Sequence, residues 1–195
     1  MERQDGTIRK RMKRWESGPP IRYLAFSCHK GVPVFDAPAP KDHFASCLAR
    51  ARAKYAFRLI AWVVMPEHVH VILVPPRVED DEPTMSVILT SIKQPVAQRA
   101  IRNYRAREPH RLEAILTNAG EARVWQEGGG FDRNIRTADE LQREIAYIHH
   151  NPVKRGLVKD PTEWEWSSAR WYANQRGDPF GWGGRLEIDH PGVQW

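Results

Sequence analysis

Two periodicities alternate along this chain. Residues 21–28 switch sides one by one, with Tyr23, Ala25 and Ser27 on one face and Leu24, Phe26 and Cys28 on the other, which predicts a strand. Over 42–54, Phe44, Leu48 and Ala51 recur at helical spacing. Residues 57–65 and 68–74 are apolar on both faces, as expected of central strands covered on both sides, and the tight Met65-Pro66-Glu67 break joins them as an antiparallel hairpin. Pro75-Pro76 ends the second. A long helix is predicted over 84–106, striped by Val87, Ile88, Ile92, Val96 and Ile101 and interrupted by Pro95. A short fourth strand is predicted at 123–126, followed by a Gly128-Gly129-Gly130 joint. A further helix should begin at Thr137, with Glu140 completing a capping box and Leu141, Ile145 and Ile148 as its core stripe. Pro152 is expected to push Asn151 to the edge of that helix or out of it.

Strand, helix, strand, strand, helix, strand is the order of a ferredoxin-like α+β fold. Right-handed crossovers put the first two helices on one face of the antiparallel sheet. The added helix beginning at Thr137 is then the natural cover for the other face. Five of the eight tryptophans follow Pro161, in a Gly-containing wrap over 161–195 whose aromatics read as packing residues.

Composition narrows the class without naming it. With 195 residues, 41% hydrophobic and 28% charged, the chain suits one soluble domain with a core of its own. No apolar run reaches membrane-spanning length and no leader follows the N-terminus, so a cytoplasmic protein without a membrane partner is expected. Cys28 and Cys47 form no disulfide or CxxC pattern. The net charge of +6 points to a polyanionic partner. Its densest part is the arm at residues 1–20, where Arg9, Lys10, Arg11, Lys13 and Arg14 cluster; Lys154 and Arg155 form a second basic turn. These are the expected phosphate contacts of such a partner.

The candidate chemistry lies in His68-Val69-His70. Period two puts both imidazoles on one face of a buried strand, where each needs a partner. A divalent metal ion held by both is one answer; hydrogen bonds to side chains or water are the other. Downstream, Glu144, Tyr147 and Asn151 share a helical face.

Four segments together carry a family likeness: Met65-Pro66-Glu67-His68-Val69-His70; Val124-Trp125-Gln126 with Gly130-Phe131-Asp132; Tyr147-Ile148-His149-His150-Asn151-Pro152-Val153-Lys154-Arg155-Gly156-Leu157-Val158; and Trp164-Glu165-Trp166-Ser167-Ser168. They resemble the single-tyrosine HUH transposases, and among these the REP-associated tyrosine transposases, over residues 21 to 172. The resemblance implies a catalytic domain at 21–160, with Tyr147 as nucleophile and Asn151 as third metal ligand beside His68 and His70. Two imidazoles and an amide oxygen suit Mg²⁺ or Mn²⁺. The implied activity is cleavage and rejoining of single-stranded or hairpin-forming DNA through a 5′-phosphotyrosine, by a monomer or a homodimer. Two other readings fit the same residues: a metal-dependent phosphodiesterase that uses water, and a protein that binds hairpin DNA without cutting it. Of the other tyrosines only Tyr104 is a rival nucleophile, and its helix should lie on the wrong face of the sheet.

Overall fold

The computed structural model describes residues 21–76, 84–128, 130–173, 186, 188 and 189. The basic arm at 1–20, with Arg9, Lys10, Arg11, Lys13 and Arg14, lies outside the described residues, as do Trp182 and Trp195.

The elements are β1 (Ile21–Ser27), α1 (Pro38–Tyr55), β2 (Arg58–Val64), β3 (His68–Val74), α2 (Met85–Arg107), α3 (Pro109–Ala114), β4 (Phe131–Ile135), α4 (Ala138–Lys154) and α5 (Ala169–Ala173). The sheet order is β2-β3-β1-β4, antiparallel throughout, which is the ferredoxin-like arrangement.

Local chemistry accounts for most element ends. α1 starts four residues before the predicted Asp42 because Pro38 and Pro40 already hold the φ of a first turn. Thr84 caps α2 and Thr137 caps α4, each hydroxyl accepting from a backbone N–H three residues on. The capping box predicted at Thr137 forms only in half. Glu140 turns its carboxylate to the N–H of Arg136 and to the guanidinium of Arg133, not back to Thr137. Asn151 does not leave the helix at Pro152: α4 runs through both to Lys154.

Two apolar layers sandwich the sheet. Leu24, Phe26, Trp62, Val69, Val71 and Leu73 pack with Phe44 and Leu48 of α1 and Ile88, Ile92 and Val96 of α2. On the opposite face Tyr23, Val63, Ile72 and Ile135 pack with Leu141, Ile145 and Ile148 of α4. The register of β2 slips between Leu59 and Ala61, which turns both Ile60 and Ala61 towards the α4 layer.

The fourth strand is not at 123–126. That segment makes a single bridge, Trp125 to Cys28, and Trp125 donates its indole N–H to the Lys93 carbonyl at 2.9 Å. β4 is the more polar Phe131–Ile135, paired with β1 from Ile21↔Ile135 to Ala25↔Phe131. Gly130 makes that pairing possible. At φ +86 a Cβ there would lie 2.3 Å from the Ala25 carbonyl oxygen, so only glycine lets the chain drop onto β1 at this point. Beneath β4, on the face away from α4, Arg22 donates to Asp132 through Nε at 3.0 Å and Nη2 at 2.8 Å, both side chains being 5% exposed.

The segment after α4 closes the outer edge of β2. Val64 N–H donates to the Trp166 carbonyl at 2.9 Å, Ser167 bridges Val63, and Ser168 N–H donates to the Trp62 carbonyl at 3.0 Å. Trp164 and Trp166 are packing residues here: their indoles donate to the Val64 carbonyl and to Asp42, and the Lys41 ammonium lies over both rings.

Candidate active site

The antiparallel register builds the site across the sheet. Val63, His70, Ala25 and Phe131 form one rung, because His70 pairs with both Val63 and Ala25, and Ala25 pairs with Phe131. The next rung places Ile72, Tyr23 and Arg133 side by side. His68, His70, Tyr23, Phe131 and Arg133 therefore face α4, whose core stripe of Leu141, Ile145 and Ile148 turns Tyr147 towards the same surface. The His68 and His70 ring centroids are 4.9 Å apart, and Tyr147 stands edge-on to His70 at 5.9 Å. Tyr147 is 44% exposed, whereas Tyr104 is 4% exposed and buried in the α1/α2 layer across the sheet.

Both imidazoles are held by one nitrogen and open at the other. His70 Nδ1 is 2.8 Å from the Tyr23 hydroxyl. His68 Nδ1 is 3.1 Å from Glu67, whose same carboxylate oxygen takes the Arg155 guanidinium at 2.7 Å. His70 Nε2 is buried and has no hydrogen-bond partner among the described residues. Burial and the neighbouring His68 lower the His70 pKa to about 3, so its ring is neutral at ordinary pH. Imidazole that is tied at Nδ1, neutral, and free at Nε2 is the state in which histidine binds metal.

Asn151 follows Tyr147 by one helical turn. Its amide nitrogen donates to the Tyr147 carbonyl at 3.1 Å, while its side-chain oxygen makes no hydrogen bond to a described residue. Among the described residues no three His, Cys, Asp or Glu side chains come together as a metal cluster. Among the described residues, a third protein ligand beside the two imidazoles would have to be a neutral oxygen, and Asn151, one turn beyond Tyr147, carries one that no described residue occupies. The donor set fits a small divalent cation that keeps part of its water.

Lys154 and Arg155 end up at the site itself. The Lys154 ammonium lies 4.5 Å from the Tyr147 ring centroid. Arg155 ties the C-terminal end of α4 to the β2–β3 turn through Glu67.

Several contributors lie outside the predicted set. Tyr23 orients His70. Arg133 bridges Glu140 and Glu144 of α4 and lies over the Tyr23 ring at 5.5 Å. His149 is buried beneath α4, with Nε2 2.7 Å from the Ser168 hydroxyl, which also accepts from Trp62 N–H at 3.0 Å. Burial lowers the His149 pKa to about 4. The alternation around Tyr23 already placed it on the histidine face once strand register was known. Nothing local in the sequence joins His149 to Ser168.

No family model matches the chain. Among curated proteins, the REP-associated tyrosine transposase of Escherichia coli is 28% identical over 128 residues, which is 66% of this chain and 64% of that protein. A Haemophilus influenzae protein bearing the same family name is 23% identical over 147 residues, 75% of this chain and 78% of its own length. Among solved structures, a REP-associated tyrosine transposase bound to a REP hairpin superposes with a TM-score of 0.64 at 20% identity, covering 94% of this chain and 96% of that one; this likeness is one of fold. In sequence and in fold, the chain is similar to REP-associated tyrosine transposases, as its motifs implied.

Proposed function

We propose that this protein is a DNA transposase that cuts and rejoins single-stranded or hairpin-forming DNA, with Tyr147 as its nucleophile and a divalent ion, Mg²⁺ or Mn²⁺, held by His68, His70 and Asn151. One observation carries the reading: a half-exposed tyrosine on α4 stands against His70, which with its neighbour His68 makes a pair of imidazoles each tied at Nδ1 and open at Nε2. The curated relatives named as transposases and the hairpin-bound structural neighbour support it.

The bound ion would polarise a phosphate oxygen and fix the strand's orientation. The chain's own groups do the rest. Tyr147 Oη forms a bond to phosphorus as the bond to the 3′ oxygen breaks. The phenolic proton passes to solvent and the leaving 3′ oxygen takes one up in exchange, so the released strand ends in a 3′-hydroxyl while the other strand stays joined to the enzyme through its 5′-phosphate. Rejoining is the same step reversed with a new 3′-hydroxyl. Lys154 is placed to stabilise negative charge on the ring as the proton departs. Tyr23 and Glu67 hold the two imidazoles in one orientation, so no reorganisation is needed when phosphate arrives. Lys154, Arg155 and the basic arm at 1–20 supply phosphate contacts, which would make binding steeply salt-dependent.

Incubation with a single-stranded DNA hairpin and Mn²⁺ should leave a denaturant-stable adduct on Tyr147, located by mass spectrometry. Tyr147→Phe keeps the ring and its contact with His70 but removes the oxygen; adduct and cleavage should both vanish while the fold is retained. Cleavage that persists in Tyr147→Phe without an adduct would replace the tyrosine by water, and an adduct on Tyr104 would displace the whole site.

A further inference from the structure

The exposed edge of the site holds a feature that the strand-cleaving chemistry does not use. Phe131 opens β4 and is 52% exposed at the rim of the cleft that Tyr147 lines. The ring is held in place all the same. Tyr23 meets it edge-on at 5.8 Å with 76° between the planes, and the Arg133 guanidinium lies 6.0 Å from its centroid. With Tyr23, Arg133 and Tyr147 the ring lines an open cleft of about 560 Å³. The floor of the cleft is Ala25, the small residue between His70 and Phe131 on their shared rung. Strands lie about 4.8 Å apart, so this rung sets His70 and Phe131 roughly 10 Å from each other, with a gap where a larger side chain would otherwise stand.

Charge in the cleft is equally uneven. Arg133 is neutralised by Glu140 and Glu144. Arg143 lines the cleft and donates no hydrogen bond to any described residue. An aromatic face on an open cleft, next to a guanidinium that donates no hydrogen bond to a described residue and feels only the charge of nearby Glu140, is a combination that binds an unpaired base and its phosphate.

We propose that Phe131 is a stacking platform for one unpaired nucleobase of the DNA, the one next to the phosphate presented to Tyr147, with Arg143 on a neighbouring phosphate. The inference rests on the reading of single-stranded DNA as substrate and adds to it a base-binding subsite at the β4 edge. Because any base offers a π-face, the platform selects unpaired over paired nucleotides and discriminates weakly among bases. Duplex DNA has no free face to offer, so the subsite would confine reaction to the single-stranded flank of a hairpin.

The test uses the full chain, a DNA hairpin with single-stranded extensions on both sides, the same hairpin trimmed flush, and a series in which an abasic site is moved along the extensions. For the wild-type protein, one abasic position should weaken binding by roughly 5- to 100-fold, the range for losing one stacked base. Phe131→Ala should weaken the extended hairpin by a similar factor, leave the flush hairpin unchanged, and abolish the penalty at that one abasic position. Phe131→Trp should restore both binding and penalty. Equal binding of the extended hairpin by wild type and Phe131→Ala overturns the proposal, as does an equal loss on the flush hairpin or an abasic penalty that survives in Phe131→Ala. The adduct assay run in parallel separates the two claims. A Tyr147 adduct with no Phe131 dependence removes the platform and leaves the chemistry. A Phe131-dependent abasic penalty without an adduct does the reverse, and failure to bind any of these DNAs removes both.

Discussion

Removal of Asp132 is the sharpest test of how the site edge is held. Arg22 and Asp132 meet through two nearly parallel hydrogen bonds of 3.0 and 2.8 Å, with both side chains 5% exposed. Such a pair adds little over an apolar pair of the same size, since the cost of desolvating two charges offsets most of their attraction. Breaking it is another matter. Asp132→Ala leaves the Arg22 guanidinium buried with its carboxylate gone, at a cost of roughly 3–5 kcal/mol. For a domain of ordinary stability, about 5–15 kcal/mol, that is at least a fifth of the total and up to all of it. With a urea slope of roughly 2–3 kcal/mol per molar, the unfolding midpoint should fall by about 1–2.5 M, read by tryptophan fluorescence and circular dichroism on the same samples. The double replacement Arg22→Met with Asp132→Leu should recover most of the loss, because it removes the stranded charge along with its partner. A midpoint for Asp132→Ala within about 0.3 M of wild type would refute the reasoning: water would then reach Arg22, and β4 would not be clamped to β1 from beneath.

Two further outcomes follow from groups at the histidine face. Tyr23→Phe removes the hydrogen bond that the Tyr23 hydroxyl makes to His70 Nδ1 and should weaken Mn²⁺ binding by about 10- to 100-fold in calorimetric titration, the usual effect of losing such an orienting partner; unchanged affinity would detach Tyr23 from the proposed metal site. His149 predicts a pH effect with a defined sign. Its folded pKa is lowered to about 4, so between pH 6.5 and 4 the unfolded chain takes up a proton that the native ring refuses, and stability should fall with falling pH across that window. The drop from His149 alone is at most about 3 kcal/mol, and His149→Gln in metal-free buffer should flatten the pH profile of thermal unfolding; an identical profile would place the acid lability elsewhere.

What could be read in the sequence, and what could not, divides by the range of the interactions concerned. The hairpin of β2 and β3, the amphipathic stripe of α4 and the Thr137 cap are local patterns, and each forms where it was read, apart from the Glu140 half of the capping box. The fourth strand was misplaced because Val124-Trp125-Gln126 has the apolar look of a strand, while Phe131-Asp132-Arg133-Asn134-Ile135 does not. Strand propensity reflects what packs on each face. One face of β4 carries a polar cleft, and the other carries an ion pair with Arg22, 110 positions away. Its polar residues are therefore satisfied by partners that no local window contains. The same distance hid the Tyr23–His70 and His149–Ser168 contacts. Arg155 was read as a phosphate ligand from its charge; what the structure shows of it is a contact with Glu67 that fixes the end of α4.

That last contact bears on why Tyr147 faces the histidines at all. A helix lying on a sheet can roll, and each residue of roll turns a side chain by 100°. Leu141, Ile145 and Ile148 resist roll, since moving any of them out of the layer with Val63, Ile72 and Ile135 exposes apolar surface at about 25 cal/mol per Å². They do not prevent sliding along the groove. The two ends of α4 do. Near its start, Glu140 and Glu144 clasp Arg133 on the edge strand; at its end, Arg155 clasps Glu67 in the turn that launches the histidine strand. These anchors lie on β4 and on the β2–β3 turn, at opposite margins of the same sheet, so a shift of one helical step would break one or the other. The position of Tyr147 over His70 is thus set by apolar packing in one direction and by paired charges in the other. It follows that Glu67 has two duties, orienting His68 and anchoring α4, and that they are carried by a single carboxylate oxygen.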